Sequence, residues 1–394
     1  MLQKGLIVWA GLIAGVILGI LLTNNTNLIN LPIKKDGVKN SLTTQKKNVI
    51  KSKKVIGFLP FWLIDKARSD YSSYITQLSY FNVTIDSDGS IQKYTAPGQS
   101  DPGWHALFTG KVDTYLADAK SKGVELSLTV FSGNDKKIDS FIADPKVSAQ
   151  NLMNDLGPIL TQYGFTDLNL DIEKVADATT EEREKYTEFV TEVRRLLNPN
   201  ITITIDLPCI AFVKDDHLTN PKTLSKVANY LVIMGYDFHN PGSYVTGPVA
   251  PQKGAGIISE FDIESAVTAA LTITTADKLI LAVPLYGYSW ETINPVPRSA
   301  TLPASAYSIS SRSIEELLSS CTNCTTEFDE TDGETHTIYK DEDTGIYHQI
   351  FYPDKISTKI KTDFAKSQNL GGMALWALGY EGQFILEPLA EYRR

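Results

Sequence analysis

Four polar side chains occupy every second position along residues 166–173. They are Asp167, Asn169, Asp171 and Glu173, and the positions between them carry Leu168, Leu170 and Ile172. A period of two is the period of a β-strand, so the four polar side chains share one face. Helix-like segments flank the run at residues 149–163 and 180–197. A strand between two helices belongs to a parallel sheet covered on both faces, where uncompensated acids are costly. Catalysis is the interpretation that best accounts for these acids.

Asp171 and Glu173 are the pair with the clearest chemistry. Residues two apart on a strand point the same way, with Cα atoms about 6.6 Å apart. Charge repulsion and burial predict that one of the two carboxyls keeps its proton near neutral pH, and that the pair titrates as a unit. Glu173 lies nearer the end of the strand and is the candidate general acid. The alternatives are a solvated strand face or a site for a hard metal ion, although no histidine accompanies the acids.

Paired carboxyls suggest glycoside hydrolysis, which in its usual form needs two carboxyls on opposite sides of the sugar. Asp171 does not meet that need, because it shares a strand and a face with Glu173. Either a carboxylate from another strand attacks, or the substrate supplies its own nucleophile. Asp237 is the close rival, since it follows Met234-Gly235-Tyr236 at the end of another strand-like run.

Eight β-rich apolar runs alternate with amphipathic, helix-like segments. The runs are residues 55–60, 76–85, 124–131, 165–171, 201–207, 230–236, 279–284 and 372–377. Eight such units predict an α/β fold, a (β/α)8 TIM barrel, with the active site at the carboxyl ends of the strands. A doubly wound open sheet has the same alternation and is the alternative. Between the seventh and eighth runs, residues 291–350 fit no barrel unit and predict a small α+β insertion; a long irregular loop there would be unusual.

The N-terminus has a separate character. Residues 5–22 contain no charged residue and would form a helix about 27 Å long, which suits a transmembrane anchor over residues 1–23. A cleaved signal peptide is the competing interpretation. Residues 24–54 are polar and lysine-rich and predict a flexible linker, so residues 55–394 are expected to form the catalytic domain, exported and membrane-anchored. A cytoplasmic domain attached to the membrane is the remaining alternative.

The composition limits the partners. The 394 residues carry a net charge of −9, which argues against nucleic acid. Cys209 is expected to be a buried thiol, and the single C-x-x-C pair Cys321 and Cys324 favours a local disulfide over a zinc site. We expect no metal and no cofactor, and a monomer.

The chain resembles glycoside hydrolase family 18, the chitinases and their relatives, from about residue 55 to the C-terminus. Asn169, Asp171 and Glu173 match the last three acidic positions of the family motif D-G-x-D-x-D-x-E, with Asn in the first of them. Met234-x-Tyr236-Asp237 matches M-x-Y-D, and three further similar segments are residues 247–251, 283–287 and 371–379. The chain departs from the family where Thr166-Asp167 replaces Asp-Gly and where Phe58 stands in place of a common Tyr.

The resemblance implies a substrate with a 2-acetamido group whose carbonyl oxygen attacks the anomeric carbon. Glu173 would protonate the leaving oxygen and then activate water, while Asp171 would hold the acetamido N–H and stabilise the oxazolinium charge. Asn169 would bond to Asp171. Tyr236 would donate to the acetamido carbonyl, with Asp237 orienting it.

The resemblance also implies aromatic contacts with the sugar. Trp376 would form the floor of the subsite that distorts the sugar, with barrel core as the alternative. The other candidates for substrate binding are Met234, Tyr286 and Trp62, although rim aromatics also serve simply to pack. The expected function is cleavage of β-1,4-linked glycans that contain N-acetylglucosamine, of chitin or peptidoglycan type, with retention. The alternative is a lectin-like barrel that binds carbohydrate without turnover.

Overall fold

The computed structural model describes residues 53–394. The predicted transmembrane anchor at residues 1–23 and nearly all of the predicted linker lie outside the described residues. Within residues 53–394, none of the helices combines the length and the apolar character that crossing a bilayer requires.

Eight parallel strands close into a barrel, which confirms the predicted α/β barrel. They follow one another around it in chain order: β1 (Lys54–Pro60), β2 (Gln77–Thr84), β3 (Glu125–Ser132), β4 (Asp167–Ile172), β5 (Thr202–Pro208), β6 (Tyr230–Met234), β7 (Leu279–Pro284) and β8 (Gly372–Trp376). Strand β8 pairs with β1 and closes the ring. The sixth strand ends at Met234, two residues before the end of the predicted run 230–236, and Asp237 then takes a left-handed φ of 62°.

Helices cover the outside of the barrel, and one further helix, Ser311–Ser320, belongs to the insertion between β7 and β8. In the described chain they are α1 (Pro102–Phe108), α2 (Asp113–Ser121), α3 (Asp135–Ala143), α4 (Pro145–Tyr163), α5 (Thr180–Leu196), α6 (Pro221–Leu224), α7 (Ile263–Ile273), α8 (Ser311–Ser320), α9 (Lys355–Ser367) and α10 (Glu387–Tyr392). Side-chain caps set several of their ends. At the start of α5, for example, Thr179 and Glu182 form a reciprocal capping box. Gly164, in the left-handed conformation, ends α4 immediately before β4.

The alternation along β4 separates two environments. Leu168, Leu170 and Ile172 point outward and join the apolar core that also contains Phe189 and Val193 of α5. The odd-numbered residues of the strand are buried as well, although they are polar. They therefore fill the inside of the barrel, together with a small apolar cluster that includes Ile56, Phe58, Phe81, Val232, Ile280, Ala282 and Ala374.

A second sheet lies between β7 and β8 in the chain. It is antiparallel, with strands Tyr307–Ser310, Tyr286–Thr292, Tyr347–Tyr352, Glu334–Lys340 and Thr325–Asp329 in spatial order. Helix α8 follows the strand Tyr307–Ser310. The sheet therefore begins before residue 291 and ends after residue 350, the bounds expected from the sequence. Cys321 and Cys324, after α8, form the expected local disulfide, and Cys209 is a buried free thiol.

Candidate active site

The innermost acid of β4 is Asp167, which is buried in a layer of hydroxyl and amide donors. It accepts hydrogen bonds from Ser127 at 2.7 Å, from Thr204 at 2.8 Å and from Gln77 at 3.2 Å. Burial raises the pKa of this carboxyl, and its hydroxyl donors oppose the rise. Because protein groups satisfy Asp167 and it lies two positions deeper than Asn169, its role in the barrel is structural.

Asn169, the next polar residue along β4, reaches across to the neighbouring strand. Its Nδ2 donates to Oδ1 of Asp206 on β5 at 2.8 Å. Its own Oδ1 is buried without a donor, and so is Oδ1 of Asp171. The expected hydrogen bond between Asn169 and Asp171 is therefore wrong for this structure, because the amide of Asn169 is turned toward a different carboxyl.

Asp206 also lies at the site, although the sequence pattern did not predict it. It is buried inside the barrel, where Asn169 pairs in register with Thr204, two residues before Asp206. Burial raises its pKa well above the usual range; the bond from Asn169 opposes this rise, while the charges of Glu173 and Asp167 add to it. The signal was present in the alternation Thr202, Thr204, Asp206, which repeats the polar period of β4 on the next strand.

Asp171 and Glu173 lie at the carboxyl end of β4. Asp171 is only 4% exposed, while Glu173 follows the last residue of the strand and reaches solvent at the barrel mouth. The backbone N–H of Glu173 still donates to the carbonyl oxygen of Ser132 on β3 at 2.8 Å, which fixes its place. The two carboxyls share a hydrogen bond. The two acids that the alternation predicts on one face of the strand therefore lie together at the carboxyl end of β4.

The shared hydrogen bond requires one proton. Burial raises the pKa of Asp171 well above its usual range, and the charges of Glu173 and Asp206 raise it further. Glu173 reaches solvent but is largely enclosed by protein, so loss of water and then the charge of Asp237 raise its pKa, while the bond from Asp171 opposes the rise. Because Asp171 is the more buried acid, it is the one that keeps the proton in the ligand-free site.

Tyr236 and Asp237 follow the end of β6. Burial and the charges of four surrounding carboxyls raise the pKa of Tyr236 well above its usual range, so its hydroxyl keeps its proton and can donate. One oxygen of Asp237, Oδ1, accepts hydrogen bonds from the hydroxyls of Tyr286 and Tyr288, the latter at 2.8 Å. Tyr286 is thereby held by an acid of the site, and its ring lies edge-on to that of Tyr236 at 6.3 Å. Met234, the last residue of β6, is buried.

Aromatic rings line one side of the barrel mouth. Trp376, the last residue of β8, is partly exposed and packs edge-on against Phe81 at 4.5 Å and Phe58 at 5.9 Å between ring centroids. Trp62 lies 6.4 Å from Trp376 and is 46% exposed. Trp376 is therefore neither wholly in the core nor free, and the exposed ring of Trp62 extends the aromatic surface.

The structure places the predicted residues at one end of one barrel. Strand β4 supplies Asn169 and Asp171, with Glu173 just after it, and the turn after β6 supplies Tyr236 and Asp237. Among residues 53–394, no group of three or more side chains is arranged to hold a metal ion.

Comparison with known proteins decides the family. The profile of Glycosyl hydrolases family 18 matches residues 43–381, which is most of the chain. The chain belongs to glycosyl hydrolase family 18. In this family 18 chain the matched region ends before α10 and contains every candidate residue of the active site.

Relatives of this family 18 chain include bacterial and insect proteins. A cortical fragment-lytic enzyme of Bacillus anthracis is 24% identical over 316 residues, a match that covers 78% of this chain and 65% of that protein. The chain therefore spans about two thirds of the length of that relative. Among solved structures, the spore cortex-lytic enzyme SleL of Bacillus megaterium superposes with a TM-score of 0.68 at 20% identity and covers 86% of this chain and 74% of its own.

An insect structure gives the same fold. The group IV chitinase of Ostrinia furnacalis, solved in complex with allosamidin, superposes with a TM-score of 0.73 at 18% identity, covering 86% of this chain and 97% of its own. At identities of 20% and 18%, these two superpositions show that the fold is shared. They say nothing about the substrate of this chain.

Proposed function

We propose that this protein is a retaining glycosidase that cleaves β-1,4-linked glycans containing N-acetylglucosamine, with the acetamido group of the substrate as the nucleophile. The observation that supports it most is that buried Asp171 and mouth-facing Glu173 lie two residues apart at the same end of β4. Both acids rise from the same strand, so they do not flank a sugar in the way that a nucleophile and an acid must. A proton donor without an opposed protein nucleophile fits substrate-assisted attack.

Asp237 is the other carboxylate that could attack. Its Oδ1 is engaged by the hydroxyls of both Tyr286 and Tyr288. Two hydrogen bonds to one oxygen stabilise the anion where it is and lower its nucleophilicity. This arrangement supports a role for Asp237 in fixing the charge and geometry beside Glu173.

In the proposed reaction the proton of the acid pair passes to Glu173, which protonates the leaving oxygen. Asp171, which is then anionic, accepts a hydrogen bond from the acetamido N–H. Its negative charge stabilises the positive charge that develops as the acetamido carbonyl oxygen attacks the anomeric carbon. Tyr236 donates to that carbonyl oxygen, and Trp376 supports the sugar ring from below. Glu173 then takes a proton from water, which opens the cyclic intermediate and retains the configuration.

The glycan class is proposed from the relatives. The Bacillus anthracis relative is named a cortical fragment-lytic enzyme, and the Ostrinia furnacalis structure is a chitinase. We rank fragments of peptidoglycan first and chitin oligomers second. A barrel that binds such glycans without turnover is the competing function; the presence of Glu173 favours the enzyme.

Product analysis tests the proposal. Purified protein is incubated with acetylated chito-oligosaccharides, with their fully deacetylated counterparts and with purified peptidoglycan, and new reducing ends are identified by mass spectrometry. We expect cleavage of acetylated substrates alone, none by Glu173→Gln, and unchanged binding by that variant. Equal cleavage of deacetylated oligomers would exclude acetamido participation, and binding without products from the parent would establish the lectin-like alternative.

We also propose that residues 1–23 anchor the protein in a membrane, that residues 24–54 form a linker and that the barrel domain is exported. The uncharged stretch 5–22 supports this arrangement. Fractionation tests it: full-length protein should stay with membranes after alkaline carbonate extraction, and protease added outside intact cells should reach the barrel. Release by carbonate, or a cleaved N-terminus, would contradict the anchor.

A further inference from the structure

Asp206 is a buried acid that the proposed reaction does not use. It is 4% exposed and lies on β5, one strand away from the acid pair. Its Oδ1 accepts the side-chain amide of Asn169 at 2.8 Å. A carboxyl withdrawn from water is costly, so a position of this kind needs a compensating role.

The bond to Asp206 fixes which way the amide of Asn169 faces. Because Nδ2 is engaged on the side of β5, Oδ1 is turned away from that strand. This oxygen is buried without a donor, and so is Oδ1 of Asp171. Asn169 and Asp171 are two residues apart on the same face of β4, with Cα atoms about 6.6 Å apart. Asp206 therefore determines which way the amide of Asn169, the neighbour of the acid pair on β4, is turned.

Asp206 also acts on the pair through its charge. The carboxyls that face it are those of Asp167 and Asp171 on β4 and of Glu173 just after that strand. The hydroxyls that face it are those of Tyr186 on α5 and Tyr236 after β6. Each of these groups is negative or neutral. The hydrogen bond from Asn169 favours the anion of Asp206 against the effect of burial, and wherever Asp206 is ionised its charge favours a proton on the neighbouring pair, which is the state that acid catalysis needs.

We propose that Asp206 is a positioning residue for the acid pair: it holds Asn169 in one orientation through a hydrogen bond, and it places a carboxyl on the strand next to the pair. The family motif places a carboxyl at position 169, where this chain has Asn. In this chain the carboxyl is that of Asp206 on the neighbouring strand β5, and β4 carries the amide of Asn169. This inference rests on the proposed function, since a positioning role presupposes that the pair catalyses.

Exchange of the two side chains is the sharpest test. Asp206→Asn leaves two amides and no carboxyl, and Asn169→Asp brings two carboxyls into contact. The double exchange N169D/D206N restores one amide and one carboxyl with donor and acceptor reversed. We expect each single variant to lose about tenfold or more in kcat, with KM changed less than about threefold, and the double variant to recover most of the loss.

The pH profile separates positioning from simple support of the fold. In Asp206→Asn the alkaline limb of kcat/KM should move to lower pH, because the pair loses its proton more easily. The double variant should return the limb toward that of the parent. The exposed Asp363→Asn on α9 is the matched control and should change neither kcat nor the limb. An unchanged limb in Asp206→Asn, or a double variant no better than the worse single one, would overturn the proposal.

A readout independent of turnover separates this inference from the proposed function. Carboxyl carbons of labelled aspartate and glutamate are titrated by nuclear magnetic resonance in the parent and in Asp206→Asn. The acid pair should titrate at lower pH in the variant, whether or not the parent cleaves glycans. Absence of product from the parent would reject the proposed function, and an identical titration would reject the effect of Asp206. Loss of melting temperature with an unmoved titration would assign Asp206 a structural role only.

Discussion

Lys361 and Glu334 are both completely buried, and their charged atoms Nζ and Oε1 lie 3.7 Å apart. Lys361 comes from the outer helix α9, and Glu334 begins a strand of the inserted sheet. The carboxylate of Glu334 also accepts the backbone N–H groups of Val249 at 2.7 Å and Ala250 at 3.1 Å. One acid thus joins the insertion, the barrel's outer layer and the loop after β6.

Removal of either partner alone should destabilise the fold. Burial lowers the pKa of Lys361 and raises that of Glu334, and each is offset by the other's opposite charge. Lys361→Met or Glu334→Gln leaves one uncompensated buried charge, for which we expect a loss of about 3–5 kcal/mol in the free energy of unfolding. Denaturant titration measures it, and the double variant should lose less than the sum. Lys359→Met, which removes an exposed pair with Asp363 on the same helix, is the control at about 0.5 kcal/mol or less.

Asp171→Asn should slow the reaction by a factor of about 10² or more. The substitution keeps the shape of the side chain and removes the negative charge that the developing oxazolinium ion needs. Steady-state kinetics on an acetylated oligomer would show the loss in kcat, with Asp363→Asn as the unaffected control. A loss of less than threefold would contradict the assignment.

Asp237→Asn should move the alkaline limb of kcat/KM to lower pH. The negative charge of Asp237 helps to raise the pKa of Glu173, so its removal lets Glu173 release its proton more easily. Asn tolerates the left-handed backbone found at this position, so the turn is retained. The pH–rate profile measures the shift. A limb that stays in place, or moves to higher pH, would refute the electrostatic role.

The stability that three buried acids of the site contribute should fall as the pH rises above about 4. The folded-state pKa values of Asp171, Asp206 and Glu173 are all raised, so the folded state binds more protons than the unfolded state. The stability that they contribute is fully present below the unfolded pKa and is lost as the pH rises through the folded pKa. Urea titrations between pH 4 and 8 should show a shallower decline for the variant D171N/D206N than for the parent, and an equal or steeper decline would contradict these shifts.

The barrel and the core of its site could be predicted because their signals are periodic. The alternation along β4 places Asp171 and Glu173 on one side whatever the rest of the fold does, and the eight repeated units imply closure. The partner of Asn169 could not be predicted in the same way. Its choice between Asp171 and Asp206 depends on the stagger between β4 and β5, which pairs Asn169 with Thr204, and periodicity within one strand does not encode that stagger.

The sequence predicts where in the chain the inserted sheet lies, but it does not predict the first and last residues of the sheet. Its first strand starts at Tyr286, directly after β7, where the aromatic alternation of Tyr286, Tyr288 and Trp290 reads equally well as the rim of a barrel. Long-range antiparallel pairing with residues 347–352 decides between the two readings. Such pairing joins segments about sixty residues apart and leaves no local pattern.

The strand Tyr286–Thr292 belongs to two parts of the molecule at once. Its tyrosines hold the carboxylate of Asp237, and its backbone carries the antiparallel sheet. An engineer who exchanges this insertion with that of a relative therefore also exchanges the groups that set the charge beside Glu173. Chimeras joined after residue 292 should keep their pH optimum, whereas chimeras joined before residue 286 should alter it.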